Sequence, residues 1–495
     1  MTTSTLRPLY SLSWQSVLYG IGIFGRQIAV YVALPFFTTA MPQKEYGVVS
    51  VTAAFLAFFN TLSNAGLPAA TFRFYNDTKD TQVRRITLGS AQILITFYAI
   101  VAAVVLFTGA EQLSHWLLGS LDYAYVLRIV AMLLFVQSLV NYGGILLRIQ
   151  VRPLANSIQG LFQIVIQLSL ALVLVMGYDL GARGYWIGHL VGAIVGLGLM
   201  LWLVRSAMTF QFSSSRMKEM LTYGLPLIPA VLALWSLRLV DRSLVVLLAG
   251  LDEVAVYEVG CKIGMLAGIV ALPFGAAWPQ FAFSAMHEPQ APEIYRDALT
   301  YLMTACAFAV LVVTAFRVDL VQIMAPNTYA GAASVVFWIA LSQIAWVLYP
   351  VLSVSLKITK RTSYIALVTV SAATINIVLN VLLIPVKGIV GAAMATLAGY
   401  VALSLGVYVF GQRFYELPID WKRIMKVALA FSMTALFIIH LEQFDIHIWG
   451  ARIFKALGTL LFPILLLLLG FINPNQYREL YQSGSKFVRE RLRRV

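Results

Sequence analysis

At 495 residues, with 60% hydrophobic and only 11% charged residues, the chain is too apolar to fold as a soluble globular protein. It is also too long to consist of one or two membrane anchors, because about 20 apolar residues suffice for one bilayer crossing. The composition therefore predicts an all-α polytopic membrane protein.

Fourteen apolar stretches of crossing length are predicted in chain order. They begin near Trp14, Tyr46, Ile86, Ala124, Ala155, Gly184, Tyr223, Val254, Tyr295, Ala332, Ser363, Gly388, Ile424 and Trp449. Spans one to six form one predicted lobe and spans seven to twelve another, with two further spans after them. The corresponding ranges are 1–205, a cytoplasmic linker at 206–220, 221–412, 413–472 and a basic tail at 473–495.

Lysine and arginine are concentrated in alternate connections, on the side where both termini are expected. Arg84, Arg85, Lys360 and Arg361 are examples, whereas the opposite connections hold few basic residues. The positive-inside rule then places both termini in the cytoplasm. The net charge of +14 is therefore a feature of topology and no argument for nucleic-acid binding. We expect the basic tail to contact anionic lipid headgroups.

An internal repeat relates the openings of the sixth and twelfth spans. Small residues recur at the same spacing in the two openings, about 207 positions apart: Gly181, Gly184, Gly188 and Gly192, then Gly388, Gly391, Ala395 and Gly399. Such residues let helices approach closely, which by itself explains most of them. Parallel repeats of transporters place the substrate site between the two lobes, near the bilayer midplane.

Cations lie inside several predicted spans. Arg26 falls in the middle of the first span, and later spans hold Arg238, Arg242 and Lys262. Since an ionised side chain in hydrocarbon costs at least about 2.5–3.5 kcal/mol, these cations should face a hydrated cavity or a partner. A cavity lined with them favours a negatively charged cargo, with Arg26 as the best candidate for a contact.

Local ion pairs are the alternative for the same cations. Lys262 follows Glu258 by four residues on one helix face, so a surface ion pair is equally consistent with the spacing. Arg238, Asp241 and Arg242 share a face and could form a mutual salt-bridge cluster. Arg26 could pair with backbone carbonyls or with a carboxylate distant in sequence.

Uncharged amides supply a second set of candidate ligands. They occur as Asn60 and Asn64 in the second span, Asn141 in the fourth, and Gln163 and Gln167 in the fifth. These side chains can bind sugar hydroxyls, or they can join helices by hydrogen bonds within the membrane. The two cysteines, Cys261 and Cys306, show no metal-ligand spacing, and no catalytic cofactor is predicted.

Three ordered segments carry a family resemblance: Tyr223–Pro229 with Asp241–Arg242 downstream, Val256–Lys262, and Ile375–Asn380 continuing through Pro385 to Thr396. With them, the chain resembles the Wzx-type lipid-linked oligosaccharide flippases of the multidrug, oligosaccharidyl-lipid and polysaccharide exporter (MOP) superfamily. The resemblance implies two V-arranged lobes that move an undecaprenyl-diphosphate-linked glycan across a bacterial inner membrane by alternating access. Arg26 and Lys262 would hold the diphosphate. The implied partners of the protein are the lipid-linked glycan, membrane lipids and the polysaccharide polymerase machinery.

The resemblance also implies a sodium site in the second lobe. Related peptidoglycan-precursor flippases bind sodium through a carboxylate, two polar residues four apart and a threonine. The matching positions are Asp241, Asn376, Asn380 and Thr396, and Ala392 is able to offer its backbone carbonyl. Asn380 stands where a second carboxylate can occur, which lowers the negative charge of the site. Asn376 and Asn380 could instead join helices by hydrogen bonds.

Two other functions compete with this interpretation. A multidrug antiporter of the same superfamily should keep carboxylates in its first lobe, but the acidic residues there fall in predicted loops or at span edges: Glu45, Asp77, Asp80, Glu111, Asp122 and Asp179. A membrane glycosyltransferase, polymerase or ligase would need acid–base groups on sizeable outer loops, and the outer connections are short. Transport without covalent chemistry is therefore the prediction.

Overall fold

The structure, a computed structural model, describes residues 22, 24–64, 66–286, 290–441 and 448–471. Within these ranges the regular elements are helical and no β-strand occurs. Ten helices there are long and apolar enough to cross a membrane, which confirms the all-α polytopic class. The count of fourteen spans stays a prediction. The basic tail and the start of the first span at Trp14 lie outside the described residues.

The first lobe consists of the following helices: α1 (24–40), α2 (Gln43–Asn64), α3 (Leu67–Asn76), α4 (Thr81–Thr108), α5 (Ala110–Leu118), α6 (Ala124–Ile149), α7 (Pro153–Leu172) and α8 (Gly181–Val204). A linker helix, α9 (Ser214–Gly224), precedes the second lobe. The remaining helices are α10 (Ile228–Ala249), α11 (Leu251–Met265), α12 (Leu272–Ala285), α13 (Ala291–Ala315), α14 (Arg317–Met324), α15 (Ala332–Leu352), α16 (Val354–Ile358), α17 (Thr362–Gly411), α18 (Trp421–Leu441) and α19 (Ile448–Leu468).

The long helix α17 contains the two spans that the sequence separates at Gly388. That residue has φ 57° and ψ −141°, so the helix is interrupted there. Gly181, its counterpart in the repeat, opens α8 with φ 49°. Positive φ is a conformation that glycine adopts without steric cost. The two repeat openings thus share a backbone feature as well as a sequence pattern.

The two lobes share one apolar cluster at the end of the bundle where α2 and α11 begin, which we call the closed end. Val48 and Leu127 of the first lobe belong to the same cluster as Tyr257 and Val335 of the second. Toward the opposite end, the open end, the lobes have separate clusters, around Leu146 and Met200 in the first and around Tyr295 and Leu403 in the second. The apolar cluster that both lobes share therefore lies at the closed end, while at the open end Tyr223 and Ile228 pack against the cluster of the first lobe.

Close helix approach at the closed end depends on Gly47. A methyl group built on Gly47 would overlap the backbone carbonyl oxygen of Leu251 in the other lobe. Backbone cannot move aside as a side-chain tip can, so α2 and α11 would have to separate.

We predict that Gly47→Ala destabilises this conformation by about 1–3 kcal/mol, the usual cost of overpacking. The measurement is the melting temperature of the purified protein in detergent. Gly198→Ala is the matched control, because Gly198 lies on α8 with no atom within 4 Å of the added methyl group. Equal melting temperatures for the two variants would contradict the proposed role of Gly47.

Candidate functional site: a basic, amide-lined cavity

A cavity of about 600 Å³ lies against the first lobe, between α1, α2, α6 and α7. Two arginines line it, Arg26 and Arg148, and no carboxylate occurs among its described lining residues. The other polar lining residues are mainly amides: Asn64, Gln137, Asn141, Asn156, Gln159, Gln163 and Gln167. The second lobe contributes the apolar Ile228 and Val231. The volume suits a small-molecule headgroup.

Arg26 is held against the backbone of α7. Glycines make this possible, because a methyl group on Gly22 or Gly25 would crowd α7, and one on Gly160 would lie 2.9 Å from Nη1 of Arg26. The side chain is exposed within the cavity. In the part of the chain that is described, no carboxylate forms an ion pair with Arg26. The structure therefore places Arg26 where an external anion can reach it.

Arg148 is a cavity residue that sequence reasoning missed. It lies in the last turn of α6, and its side chain is exposed. Because Arg148 lies near a connection between spans, the sequence assigns it to the basic residues that set membrane orientation. The described residues place no carboxylate within ion-pair distance of it. Two like charges in one cavity repel each other, so their arrangement favours an anion that contacts both.

A chain of amide hydrogen bonds runs along the cavity wall, and we call it the amide ladder. Gln159 Nε2 donates to Gln163 Oε1 at 3.0 Å, and Gln163 Nε2 donates to Gln137 Oε1 at 2.9 Å. Gln137 donates to Asn141 at 3.2 Å, and Asn141 to the Oδ1 of Asn60 at 3.2 Å. These amides are therefore fixed in orientation, and Gln163, Gln137 and Asn141 each keep one amide hydrogen and one carbonyl lone pair that the ladder does not use.

The predicted substrate residues Gln163 and Asn60 both belong to this ladder. Gln163 lines the cavity, whereas Asn60 supports the lining residue Asn141. The spacing of four residues between Gln159, Gln163 and Gln167 places all three on one face of α7. That spacing was the sequence signal by which Gln159 could have been found.

Lys262 lies outside this cavity, toward the closed end. Its Nζ donates to the hydroxyl of Tyr46 at 2.7 Å and lies 3.6 Å from Oε1 of Glu258. Tyr31 also donates to the Lys262 carbonyl oxygen at 2.9 Å. The ion pair with Glu258 that the spacing allows is thus present, and this conformation does not bring Lys262 and Arg26 to one cavity.

Arg242 is buried and compensated by two carboxylates. Its Nη1 lies 2.7 Å from Asp241 Oδ1, and its Nε lies 3.1 Å from Glu258 Oε2. Arg238 is exposed, with its guanidinium 5.4 Å from the ring centre of Trp346 and its carbonyl oxygen accepting a bond from Arg242. Neither arginine lines the cavity. In this conformation Arg242 belongs to a salt-bridge cluster with Asp241 and Glu258 and does not line the cavity.

Polar contacts between the lobes gather near the closed end. Ser50 donates to Glu258 Oε2 at 3.3 Å, and Thr38 donates to the carbonyl oxygen of Met324 at 2.7 Å. Gln43 donates to the carbonyl oxygen of Thr328 at 2.7 Å. With the Tyr46–Lys262 bond, these contacts must break if this end is to open.

The residues of the predicted sodium site lie on α10 and on both halves of α17. Asp241 Oδ2 accepts bonds from Tyr257 at 2.5 Å and from Thr396 at 3.3 Å, and Thr396 also donates to the Ala392 carbonyl oxygen at 3.1 Å. Asp241, Ala392 and Thr396 are therefore brought together.

Two asparagines complete the predicted set of sodium ligands. Asn380 donates to the backbone oxygen of Asn376 at 2.9 Å, and the Oδ1 atom of each is buried without a hydrogen-bond partner. An unsatisfied buried acceptor is costly, and a hard cation is one group that satisfies it. The donor set fits sodium, although Arg242 already neutralises one oxygen of Asp241.

Comparisons with known proteins identify the family. The family model described as polysaccharide biosynthesis protein matches residues 14–287, which is more than half of the chain. The chain belongs to this family. A second model, described as MatE, matches residues 226–382. No curated protein matches the chain by sequence.

Several solved structures share the fold of this member of the polysaccharide biosynthesis family. The lipid II flippase MurJ in an inward closed conformation superposes with a TM-score of 0.74 at 15% identity, covering 94% of this chain and 100% of MurJ. An inward-facing multidrug resistance MATE transporter gives 0.68 at 15% identity, with 78% and 94% covered. A point mutant of the Vibrio cholerae MATE transporter VcmN gives 0.59 at 15% identity, with 83% and 98% covered.

The contact between Gly160 and Arg26 gives a test of the cavity geometry. Gly160→Ala should push the guanidinium away from α7, and since a flexible side-chain tip can move, the melting temperature should change little. We expect affinity for an anionic probe, inorganic diphosphate, to fall about 3- to 10-fold, as for the weakening of one charged contact. Unchanged affinity would show that this position of Arg26 is irrelevant to anion binding.

Proposed function

We propose that the protein is a flippase that moves undecaprenyl-diphosphate-linked oligosaccharide repeat units across the bacterial inner membrane. The translocated repeat units would serve the biosynthesis of O-antigen, capsule or exopolysaccharide. They would be delivered to a polymerase at the outer face of the membrane. The observation that carries this proposal is the cavity in which Arg26 and Arg148 face a ring of amides and no described carboxylate. Membership of a polysaccharide biosynthesis family supports the same cargo.

The chemistry of the cavity suits the headgroup of such a lipid. A diphosphate must lose hydration when it leaves the membrane surface, and guanidinium groups replace part of it with charge-assisted hydrogen bonds. The amide ladder offers donors and acceptors to sugar hydroxyls. The prenyl chain can remain among the membrane lipids while the headgroup occupies the cavity.

The separate apolar clusters at the open end suggest that the substrate enters the cavity from this end. The positive-inside rule assigns this end to the cytoplasm, where lipid-linked repeat units would enter. Transport then requires the closed end to open, which breaks the bond between Tyr46 and Lys262 and the bond between Ser50 and Glu258. Lys262 would become available to the diphosphate in that second conformation, which reconciles its present position with the role predicted from sequence.

A multidrug antiporter is the nearest alternative, since MATE transporters share the fold. A cationic drug would need carboxylates in the cavity, but Glu45 accepts a bond from the backbone of Ala182 and Glu111 pairs with Arg128. Neither glutamate lines the cavity. The charge of the site therefore favours an anionic cargo over a cationic one.

Arg26→Ala and Arg148→Ala should each reduce flipping by at least about tenfold, because a charge-assisted contact contributes about 1.5–3 kcal/mol. The assay measures transfer of a fluorescent undecaprenyl-diphosphate oligosaccharide between leaflets of proteoliposomes. Arg183→Ala is the control, since Arg183 is exposed and lies outside the cavity. Full activity in a well-folded Arg26→Ala variant would remove this residue from the mechanism.

We also propose that the predicted sodium ligands bind a sodium ion, and that binding of this ion is coupled to transport. These ligands are Asp241, Asn376, Asn380, Ala392 and Thr396. Two observations support this proposal: the Oδ1 atoms of Asn376 and Asn380 are buried without a hydrogen-bond partner, and the Thr396 hydroxyl donates to Asp241. When bound, the ion would supply a positive charge that these oxygens share. Arg242 Nη1 lies 2.7 Å from Asp241 Oδ1, so the ion would share this carboxylate with Arg242.

If sodium binds there, it should raise the melting temperature by a few degrees relative to potassium at equal ionic strength, since a ligand stabilises the state that binds it. Asn380→Asp should enlarge the effect by adding a carboxylate, and Asp241→Asn should remove it. A melting curve that is indifferent to sodium in the unmodified protein and in Asn380→Asp would exclude the site.

A further inference from the structure

The charges of the cavity account for one diphosphate and no further anion. A diphosphate esterified at both ends has one ionised oxygen on each phosphate, and Arg26 and Arg148 provide one positive charge each. No other charged residue lines the cavity in the described part of the chain. A cargo with acidic sugars would therefore bring negative charges that no lining residue compensates.

The amide ladder matches the chemistry of uncharged sugars. An amide both donates and accepts hydrogen bonds, as do the hydroxyl and acetamido groups of neutral sugars, whereas a sugar carboxylate only accepts. Moving a carboxylate from water to a site with amides alone costs free energy, because ionised groups require a compensating charge or several donors. The ladder's internal bonds also fix the orientation of its amides in advance.

The geometry also gives the bound glycan a direction. Arg26 contacts α7 at Gly160, next to Gln159, the first amide of the ladder on that helix. Gln167 lies two helical turns further on, about 12 Å along the helix axis at 1.5 Å per residue. That length exceeds one sugar ring. A diphosphate at Arg26 would therefore place the first sugars of the repeat unit beside the glutamines.

We propose that this cavity selects repeat units whose sugars nearest the diphosphate are uncharged, with the diphosphate at the two arginines and those sugars along the amide ladder. The proposal rests on the flippase function proposed above. It assigns the selection to the first lobe, because the described residues of the second lobe that line the cavity are the apolar Ile228 and Val231.

Three probes test the proposal by their affinity for the full-length protein in nanodiscs. They are undecaprenyl diphosphate, the same lipid with N-acetylglucosamine, and the same lipid with glucuronic acid. We expect the N-acetylglucosamine probe to bind at least about tenfold more tightly than the glucuronic acid probe, the effect of one uncompensated charge or of two lost hydrogen bonds. Gln163→Leu should weaken binding of the N-acetylglucosamine probe and leave the sugar-free lipid unaffected.

Two further variants complete the design. Gln163→Arg adds a third positive charge to the cavity and should reverse the preference in favour of glucuronic acid. Gln343→Leu is the matched control, because Gln343 is equally buried but lies on α15 outside the cavity. It should change none of the three affinities.

The outcomes separate this proposal from the proposed function. Equal affinities for the two sugar probes, or an equal loss for all three probes in Gln163→Leu, would overturn the selection of uncharged sugars while leaving the flippase intact. If neither sugar-linked probe binds, or if their binding does not depend on Arg26, the proposed function itself is wrong and the selection fails with it.

Discussion

The cost of placing a cation inside a membrane determines much of this structure. The chain meets that cost in two ways. Arg242 and Lys262 lie beside carboxylates, with Glu258 within reach of both. Arg26 and Arg148 have no such partner among the described residues and line a cavity instead. The first arrangement stabilises the contact between the lobes, whereas the second leaves positive charge available to a ligand.

The paired cations and the cavity-lining cations lie at different ends of the molecule. The compensated cations lie toward the closed end, where both lobes share one apolar cluster and where Ser50 reaches across to Glu258. The uncompensated arginines lie where the lobes have separate clusters. The amide-lined cavity and the apolar contact between the lobes thus occupy different levels of the same bundle.

Much of the fold could be predicted from the sequence, because bilayer crossing imposes long apolar runs whose limits are visible. Helices α6 and α15 begin at Ala124 and Ala332, as predicted, and the break at Gly388 separates two predicted spans. The short helices α3, α5 and α14 were missed because they are too short to leave a hydropathy signal. The repeat was visible because close packing constrains the size of its residues.

The site was only partly predictable, because contacts between helices depend on which faces meet. The pairing of Glu258 with Lys262 follows from a spacing of four residues, so the sequence contained it as an alternative. The bond between Lys262 and Tyr46 joins residues 216 positions apart and leaves no local pattern. Arg148 escaped notice because a helix end near a basic connection gives no sign that the side chain faces a cavity.

The carboxylate of Glu258 connects the Asp241–Arg242 pair of the second lobe with Ser50 of the first lobe. It accepts bonds from Arg242 and from Ser50, while Arg242 also contacts Asp241, so a continuous path of polar contacts leads from Asp241 to the opposite lobe. A cation that drew Asp241 away from Arg242 would leave Glu258 as the carboxylate partner of Arg242. By thermodynamic linkage, any effect of such a cation on the contact between the lobes equals the effect of separating the lobes on the affinity for that cation.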